Sequence, residues 1–305
     1  MDQATFIFKG ADGRDVFTRC WNNVERPCGI LQVFHGMAEH SGRYEEFALY
    51  MNSVGFVVYA CDQRGHGITG EMSGNLCHFD GDGFNGIVED QKRLSELIKE
   101  KHPGIPLFIF GHSFGSFVAQ QYIKSYGNEI SGVVLSGSNM MNGMDVKAGY
   151  LVAALSNIFG SNKKNKLLDK LSFGSYNRGI KNPESKFSWL SRDTQQVLKY
   201  EQDRFCGGVM TTGFYYYFFR GLVNLYNTES MEKIPKNLPI YIMSGESDPV
   251  GSYGKGIKKL CQRYTELGIK DVKLKLYSGG RHEMLNEINR SDVYSDIRNW
   301  LVKHI

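Results

Sequence analysis

A serine stands between two glycines, each two residues away, in the stretch Gly111-His112-Ser113-Phe114-Gly115. Apolar residues 107–110 precede it and a helical pattern follows, which is the strand–turn–helix context in which G-x-S-x-G exposes a nucleophile. So sharp a turn strains the serine backbone, and small residues two positions away relieve the clash. The helix N-terminus also favours developing negative charge. The pattern predicts a nucleophilic Ser113; the alternative is a buried serine flanked by glycines.

A serine nucleophile needs a general base, and the base needs an acid that orients it. His282 follows the last strand-like stretch of the chain, and Asp248 follows the one before it. Parallel strands bring their carboxyl ends to one edge, so the chain order serine, acid, histidine predicts a triad. Taken singly, Asp248 is equally compatible with a turn before Pro249, and Glu246 competes for the acid role. His282 alone is also compatible with a helix start that carries no chemistry.

Hydrolysis through a serine also needs two backbone N–H groups that receive an oxyanion. One donor is expected from Phe114, the residue after the nucleophile. The other is expected from the loop after the third strand, which begins His35-Gly36-Met37, and Met37 is the candidate. The alternative for this loop is a simple turn that ends a strand.

The elements that must position these residues alternate between strands and helices. Strands are predicted at 5–9, 16–22, 29–35, 56–62, 107–111, 132–136, 239–244 and 272–277. Helices are predicted at 43–54, 87–101 and 114–126. The fold class is therefore α/β, with an eight-stranded, mostly parallel sheet that carries helices on both faces.

The alternation stops between strands six and seven. Residues 139–237 contain helix-like stretches at 148–159 and 214–226 and a polar, lysine-rich connection at 161–170. We therefore expect a core domain of residues 1–138 and 238–305, with a helical cap of residues 139–237 inserted between strands six and seven.

Composition excludes several classes of protein. The 305 residues are 41% apolar and 22% charged, and a formal charge of +4 without dense basic runs argues against nucleic-acid binding. The six cysteines form no C-x-x-C pair and the eight histidines are scattered, so no metal and no other cofactor is predicted. The start of the chain lacks a signal-peptide pattern, which predicts reduced thiols and a cytoplasmic protein.

Two further patterns concern cofactors and membranes. Residues 65–70 spell G-x-G-x-x-G, but 71–75 do not indicate a helix, so a glycine-shaped loop is favoured over a dinucleotide site. No apolar run approaches the ~20 residues that span a bilayer, so any membrane contact is expected to be peripheral, through the cap. Lysines in the cap could approach anionic lipid, although a solvated polar loop is the favoured interpretation: Lys163, Lys164, Lys166 and Lys170.

Taken together, these stretches resemble the monoacylglycerol lipase and lysophospholipase branch of the α/β-hydrolases, which is related to the serine aminopeptidase-like hydrolases. The similar stretches are 35–44 (HGMAEHSGRY), 62–67 (DQRGHG), 111–115, 248–250 and 281–287 (RHEMLNE). The resemblance implies a lid or cap, an apolar acyl pocket beneath it, and hydrolysis of single-chain acyl esters through an acyl-enzyme. One departure is the sequence Phe114-Gly115-Ser116, where relatives often have Met-Gly-Gly; Phe114 is expected to narrow the acyl site.

Apolar residues of the cap are candidates for the acyl pocket, although packing of the cap is the favoured role for any one of them. They are Tyr150, Leu151, Leu155, Phe159, Phe214, Tyr217 and Phe218. Three other functions stay open. An aminopeptidase or amidase would need an acidic amine-binding group, for which Asp193, Glu201 and Asp203 are available. An acyltransferase would share the acyl-enzyme, and a non-catalytic binding protein would need no triad.

Overall fold

A computed structural model describes residues 3–305. The chain starts with an antiparallel hairpin of β1 (Ala4–Lys9) and β2 (Asp15–Trp21). Its turn contains Gly13 at φ 85°, a left-handed conformation that glycine adopts without strain. The predicted hairpin is therefore present at the edge of the sheet.

Six further strands complete one sheet, and neighbours from β4 to β8 run parallel. They are β3 (Gly29–Phe34), β4 (Phe56–Cys61), β5 (Leu107–His112), β6 (Gly132–Ser136), β7 (Ile240–Gly245) and β8 (Val272–Tyr277). The order across the sheet is β1-β2-β4-β3-β5-β6-β7-β8. Every residue of β3 to β7 is buried, as expected when helices cover both faces. This confirms the predicted eight-stranded, mostly parallel sheet.

Eleven α-helices and four short 3-10 turns are found in residues 3–305. The helices are α1 (Glu45–Ser53), α2 (Gly67–Met72), α3 (Gly83–Lys101), α4 (Phe114–Tyr126), α5 (Met144–Ile158), α6 (Lys166–Phe173), α7 (Thr194–Gln202), α8 (Thr212–Leu225), α9 (Thr228–Met231), α10 (Lys255–Glu266) and α11 (Arg290–Lys303). The 3-10 turns are Ser41–Tyr44, Gly127–Glu129, Tyr176–Gly179 and Met284–Asn286.

The two faces of the sheet bury separate apolar clusters. On β5, Phe108 and Phe110 face a cluster with α1 and α11, whereas Ile109 faces a cluster with α3, α4 and α10. This division follows from the period of two in a strand, which sends successive side chains to opposite faces. The predicted placement of helices on both faces is confirmed.

Residues 139–237, called here the inserted segment, lie between β6 and β7 and hold helices α5 to α9. The described residues of this segment form no strand, in agreement with the sequence pattern. Helices α5 and α8 pack closely on each other, and α8 also packs on α3 and α4. The division of the chain into a core domain and a separate cap stays a prediction.

Two local predictions were wrong. Part of the expected polar connection is helix α6, where Asn165 caps the N-terminus and Leu168 is buried. The glycine-rich stretch expected to be a loop contains helix α2, which is anchored by a 2.7 Å hydrogen bond from the Ile68 N–H to Asp62 Oδ2. Helix α6 was missed because its lysines obscure the helical spacing of its apolar residues. Helix α2 was missed because its six residues are too few to form a stable helix alone, and a tertiary contact stabilises it.

None of the helices in residues 3–305 has the length and apolar character that crossing a bilayer requires. The six cysteines are free thiols. The cytoplasmic location stays a prediction.

Candidate active site

Ser113 lies at the turn between β5 and α4, with φ 51° and ψ −119°. A non-glycine residue at positive φ is uncommon, and strain of this kind concentrates at functional sites. A Cβ atom on Gly115 would lie 2.0 Å from the Phe34 carbonyl oxygen, and one on Gly111 would lie 2.7 Å from the Gly115 oxygen. Both flanking positions therefore require glycine, as the sequence pattern implies.

His282 and Asp248 form a buried hydrogen-bonded pair. Nδ1 of His282 lies 3.0 Å from both carboxylate oxygens of Asp248, and the exposed fractions are 1% and 0%. Asp248 also accepts hydrogen bonds from the Ser244 hydroxyl at 2.8 Å and the Val250 N–H at 2.9 Å. The competing acid, Glu246, is exposed. The geometry therefore makes Asp248, and not Glu246, the partner of this histidine.

The surroundings of His282 and Asp248 shift the pKa values of these two groups in opposite directions. Burial disfavours the charged form of His282, but Asp248 outweighs that effect and raises the pKa of the imidazole above its usual value. Burial also opposes the charge on Asp248, yet His282, Ser244 and Val250 together lower the pKa of this carboxyl. Nε2 of His282 is buried and has no hydrogen-bond partner among residues 3–305. This nitrogen is available to a group that enters from the adjoining cavity.

The two predicted oxyanion donors belong to the two turns next to the cavity that contains Ser113. Phe114 is the first residue of α4, so its N–H has no acceptor within the helix. Met37 follows β3 and lines the same cavity as Ser113. The preceding turn is held by His35, whose Nδ1 lies 2.8 Å from the Gly36 oxygen and whose Nε2 accepts the Gln63 N–H. Both ring nitrogens of His35 therefore form hydrogen bonds that hold this turn in place.

The inserted segment forms hydrogen bonds with the backbone of both loops of the site. The Ala38 carbonyl accepts hydrogen bonds from the Tyr200 hydroxyl at 2.9 Å and from the Gly207 N–H at 3.0 Å. On the histidine side, the Glu283 N–H donates to the Leu190 carbonyl at 2.7 Å. The loop that carries Met37 and the loop that carries His282 are therefore both bonded to the inserted segment.

A cavity of about 320 Å³ opens beside Ser113, His282 and Met37. Its apolar wall is formed by Met37 and Ala38 of the loop after β3 and by five residues of the inserted segment: Phe173, Phe187, Trp189, Leu190 and Val209. Its polar and charged residues are Glu39, His112, Asp169, Lys170, Asn177, Lys186, Tyr200 and Glu283. A cavity of this size with a mainly apolar lining is typical of a site for a small organic ligand.

The seven residues predicted for the acyl pocket do not line this cavity. Leu151, Leu155 and Phe159 are on the surface, with exposed fractions of 59%, 54% and 80%. Phe214 and Phe218 are buried in the cluster around α3 and α4. Tyr150 stacks on Tyr216, which in turn contacts Tyr217. This placement corrects the expectation, because an apolar helix in the sequence does not reveal which neighbour its apolar side meets.

Phe114 does not narrow the cavity, which corrects a second expectation. Its side chain is 1% exposed and packs against Phe214 and Phe218, with ring centroids 5.7 Å and 5.5 Å away. Ser116 donates from its hydroxyl to the Ser113 carbonyl at 2.6 Å, so it supports the turn directly. The departure from Met-Gly-Gly therefore changes the packing behind the serine.

Sequence reasoning missed three charged residues beside the cavity: Glu39, Arg43 and Glu283. Arg43 forms ion pairs with both carboxylates, at 2.5 Å to Glu39 and 2.6 Å to Glu283. Glu39 and Arg43 belong to the HGMAEHSGRY stretch, and Glu283 directly follows His282. All three residues therefore lie in the stretches that resemble the lipase branch. What the sequence lacks is any sign that residues 240 positions apart meet.

Among residues 3–305, one group of side chains has the geometry to hold a metal ion. His40, Asp203 and Cys206 place ligand atoms within 4.8 Å of one another. However, His40 Nε2 is already 2.8 Å from Asp203 Oδ2, and burial raises the pKa of the Cys206 thiol, which favours the protonated, non-ligating form. The absence of a metal therefore stays a prediction.

A mostly parallel eight-stranded sheet with a strained serine after β5 defines an α/β-hydrolase. The chain belongs to the family described as serine aminopeptidase, S33, whose model matches residues 25–289. It is 30% identical over 302 residues to the monoacylglycerol lipase of Mycolicibacterium smegmatis, covering 98% of this chain and 96% of that protein. It is 26% identical to the human monoglyceride lipase over 296 residues, covering 95% and 88%. These similarities confirm the resemblance to the monoacylglycerol lipase branch.

Among solved structures, the chain is similar to a highly thermostable carboxyl esterase from Bacillus coagulans in complex with glycerol. The TM-score is 0.91 at 31% sequence identity, and the match covers 100% of this chain and 99% of that one. The matched length includes the inserted segment of this chain.

Proposed function

We propose that this protein is a serine hydrolase that cleaves carboxylic esters of single-chain acyl lipids, either monoacylglycerols or lysophospholipids, through an acyl-enzyme. The observation that carries the proposal is the buried Asp248–His282 pair, whose free Nε2 adjoins the cavity that also contains Ser113. Relatives named as monoacylglycerol lipases, and a structural neighbour named as a carboxyl esterase, support the ester class.

The proposed mechanism starts with proton transfer from Ser113 to Nε2 of His282 as the serine attacks the ester carbonyl. Asp248 holds the Nδ1–H tautomer and stabilises the imidazolium. The N–H groups of Met37 and Phe114 donate hydrogen bonds to the oxyanion. His282 then protonates the leaving alcohol, and water, activated by the same histidine, releases the fatty acid and restores Ser113.

A peptidase or amidase with the same residues is the nearest alternative. The acids considered for amine binding do not line the cavity: Asp203 bonds to His40, Glu201 accepts from Ser185, and Asp193 caps α7. The remaining cavity acid outside the Arg43 pairs is Asp169, whose pKa is raised by burial. Because Asp193, Glu201 and Asp203 do not line the cavity, none of the acids considered in the sequence is placed to bind an ammonium group there, which supports the esterase.

A substrate panel separates these functions. We expect the protein to release fatty acid from long-chain monoacylglycerol or lysophosphatidylcholine faster than from short p-nitrophenyl esters, because its cavity wall is mainly apolar. Aminoacyl-p-nitroanilides should be poor substrates. Release from anilides above all esters would favour the peptidase, and transfer of acyl groups to an added alcohol in preference to water would favour an acyltransferase. Absence of turnover on the whole panel would favour a binding protein.

The wall of the cavity should determine the acyl-chain preference. We expect Phe173→Ala to enlarge the cavity and to change the ratio of kcat/KM between two esters that differ by two methylenes by about tenfold, in favour of the longer chain. Phe218→Ala is the matched control: it removes the same ring from the buried cluster, which should cost about 3–5 kcal/mol of stability and leave the ratio unchanged. If Phe218→Ala changed the ratio more than Phe173→Ala, the acyl chain would bind next to Phe218, as the sequence predicted.

Peripheral contact with a lipid surface through the inserted segment also stays a prediction. Leu151 and Leu155 of α5 and Phe159, which directly follows this helix, recur at a spacing of four, and all three are exposed. Exposed Leu167 and Leu171 of α6 and nearby lysines belong to the same segment. Exposed apolar side chains accompanied by lysines are typical of helices that lie on anionic membranes.

A further inference from the structure

Glu39, Arg43 and Glu283, called here the acidic cluster, lie beside the cavity and are shielded from water. Nη1 of Arg43 is 2.5 Å from Glu39 Oε2 and 2.6 Å from Glu283 Oε1, and Nη2 is 2.7 Å from Glu283 Oε2. The exposed fractions of Glu39 and Glu283 are 3% and 5%. Burial opposes their charges, but Arg43 acts together with other neighbours, among them His112, to lower the pKa of both carboxyls. Two carboxylates and one guanidinium leave a net charge of −1 in this buried place.

The acidic cluster joins the two loops of the candidate active site. Glu39 accepts hydrogen bonds from the Gly36 N–H, next to Met37, and from the Tyr44 hydroxyl at 2.9 Å. Glu283 directly follows His282 in the chain. Arg43 also lies over the ring of Tyr200 in the inserted segment, at 4.7 Å from its centroid. The charges are therefore fixed in position relative to both loops.

We propose that Glu39, Arg43 and Glu283 are positioning residues whose net negative charge stabilises the protonated His282 that forms while Ser113 is acylated. The inference rests on the proposed function, in which His282 accepts the serine proton. The acidic cluster is a second source of negative charge besides Asp248, which is the one hydrogen-bond partner of the imidazole among residues 3–305.

The electrostatics of His282 support this role. Burial lowers the pKa of the imidazole, Asp248 is the largest opposing influence, and Glu283 and Glu39 add to it. Buried charges act strongly because solvent does not screen them. His112 also faces His282, with ring centroids 4.8 Å apart, but burial and His282 lower its pKa to about 4. It is thus neutral near pH 7. The ionisable groups that act on His282 are Asp248, Glu283 and Glu39, and its ring also faces His112. Arg43 pairs with both glutamates.

The test is the pH dependence of kcat/KM for Glu283→Gln with an ester substrate. Removing one negative charge lowers the pKa of free-enzyme His282, so the acidic limb should move down by about half to one pH unit. On the plateau, kcat should fall about three- to tenfold, because the imidazolium is less stabilised. Glu283→Asp keeps the charge and should keep the limb near its wild-type position. Glu184→Gln, which removes an exposed carboxylate of the inserted segment, should leave the profile unchanged.

The outcomes separate this inference from the proposed function. If turnover depends on Ser113 but the acidic limb of Glu283→Gln coincides with wild type, the acidic cluster is only structural and the inference is overturned. If turnover is independent of Ser113, the proposed function fails instead. Should Glu283→Gln fail to fold by circular dichroism, Glu39→Gln decides in its place, because it removes the same charge and keeps an oxygen that accepts the Gly36 N–H. Its profile is expected to shift in the same direction.

Discussion

Ser113→Ala is expected to lower kcat for ester hydrolysis by a factor on the order of 10⁶, the loss found where a serine triad has been dissected. The hydroxyl oxygen is the atom that would be acylated, and alanine supplies no nucleophile at the strained turn after β5. Substrate binding should persist, because the apolar wall of the cavity is untouched. The measurement is fatty-acid release from monoacylglycerol, together with covalent labelling by a fluorophosphonate, in which the Ser113 oxygen attacks phosphorus and displaces fluoride. Labelling is expected in wild type only.

The matched control for this variant is Ser125→Ala, which removes an exposed hydroxyl from the same helix, α4. It should retain wild-type turnover and wild-type labelling. Substantial esterase activity in a clean Ser113→Ala preparation would exclude this serine as the nucleophile, and a search for another nucleophile would have to begin from the other residues lining the cavity.

Asp248→Asn is expected to reduce kcat by about 10⁴ while leaving the fold in place. An asparagine amide can donate to Nδ1 of His282, which would favour the tautomer with its proton on Nε2 and thus remove the base. The hydroxyl of Ser244 and the N–H of Val250 each donate a hydrogen bond to one carboxylate oxygen of Asp248. In the variant, the donor that faces the amide nitrogen would lose its acceptor, which should lower the stability of the fold slightly. The measurement is kcat across pH, together with thermal unfolding.

Glu246→Gln is the control for the acid, because Glu246 competed with Asp248 for this role in the sequence and is exposed in the structure. Its turnover is expected to equal that of wild type. The opposite pattern, in which Asp248→Asn stays active and Glu246→Gln does not, would transfer the acid role to Glu246 and require a different position of the loop after β7.

The sequence constrains the residues of the proposed triad more tightly than it constrains their surroundings, for a physical reason. Ser113 needs glycines at fixed spacing, because a Cβ on Gly115 would collide with the carbonyl of Phe34. Asp248 and His282 follow strands whose apolar pattern is unambiguous. Such constraints are local, so they can be recognised from a few consecutive residues.

The cavity wall could not be predicted in the same way. Phe218 and Phe173 are both aromatic residues of helices in the inserted segment, yet the first packs on α4 and the second lines the cavity. The difference depends on how each helix is rotated against its neighbours, which composition does not encode. The acidic cluster was missed for a related reason, since Arg43 and Glu283 are brought together only by the assembled sheet.

The hydrogen bonds from Tyr200 and Gly207 to the Ala38 carbonyl have an evolutionary consequence. A segment that only selected substrates could be exchanged among relatives as an independent module, and each exchange would alter specificity alone. Here the same segment holds the backbone next to a proposed oxyanion donor, and Leu190 holds the residue after His282. A replacement segment must therefore reproduce these contacts with the loop backbone before it can confer a new specificity. This requirement limits which inserted segments can evolve without loss of activity.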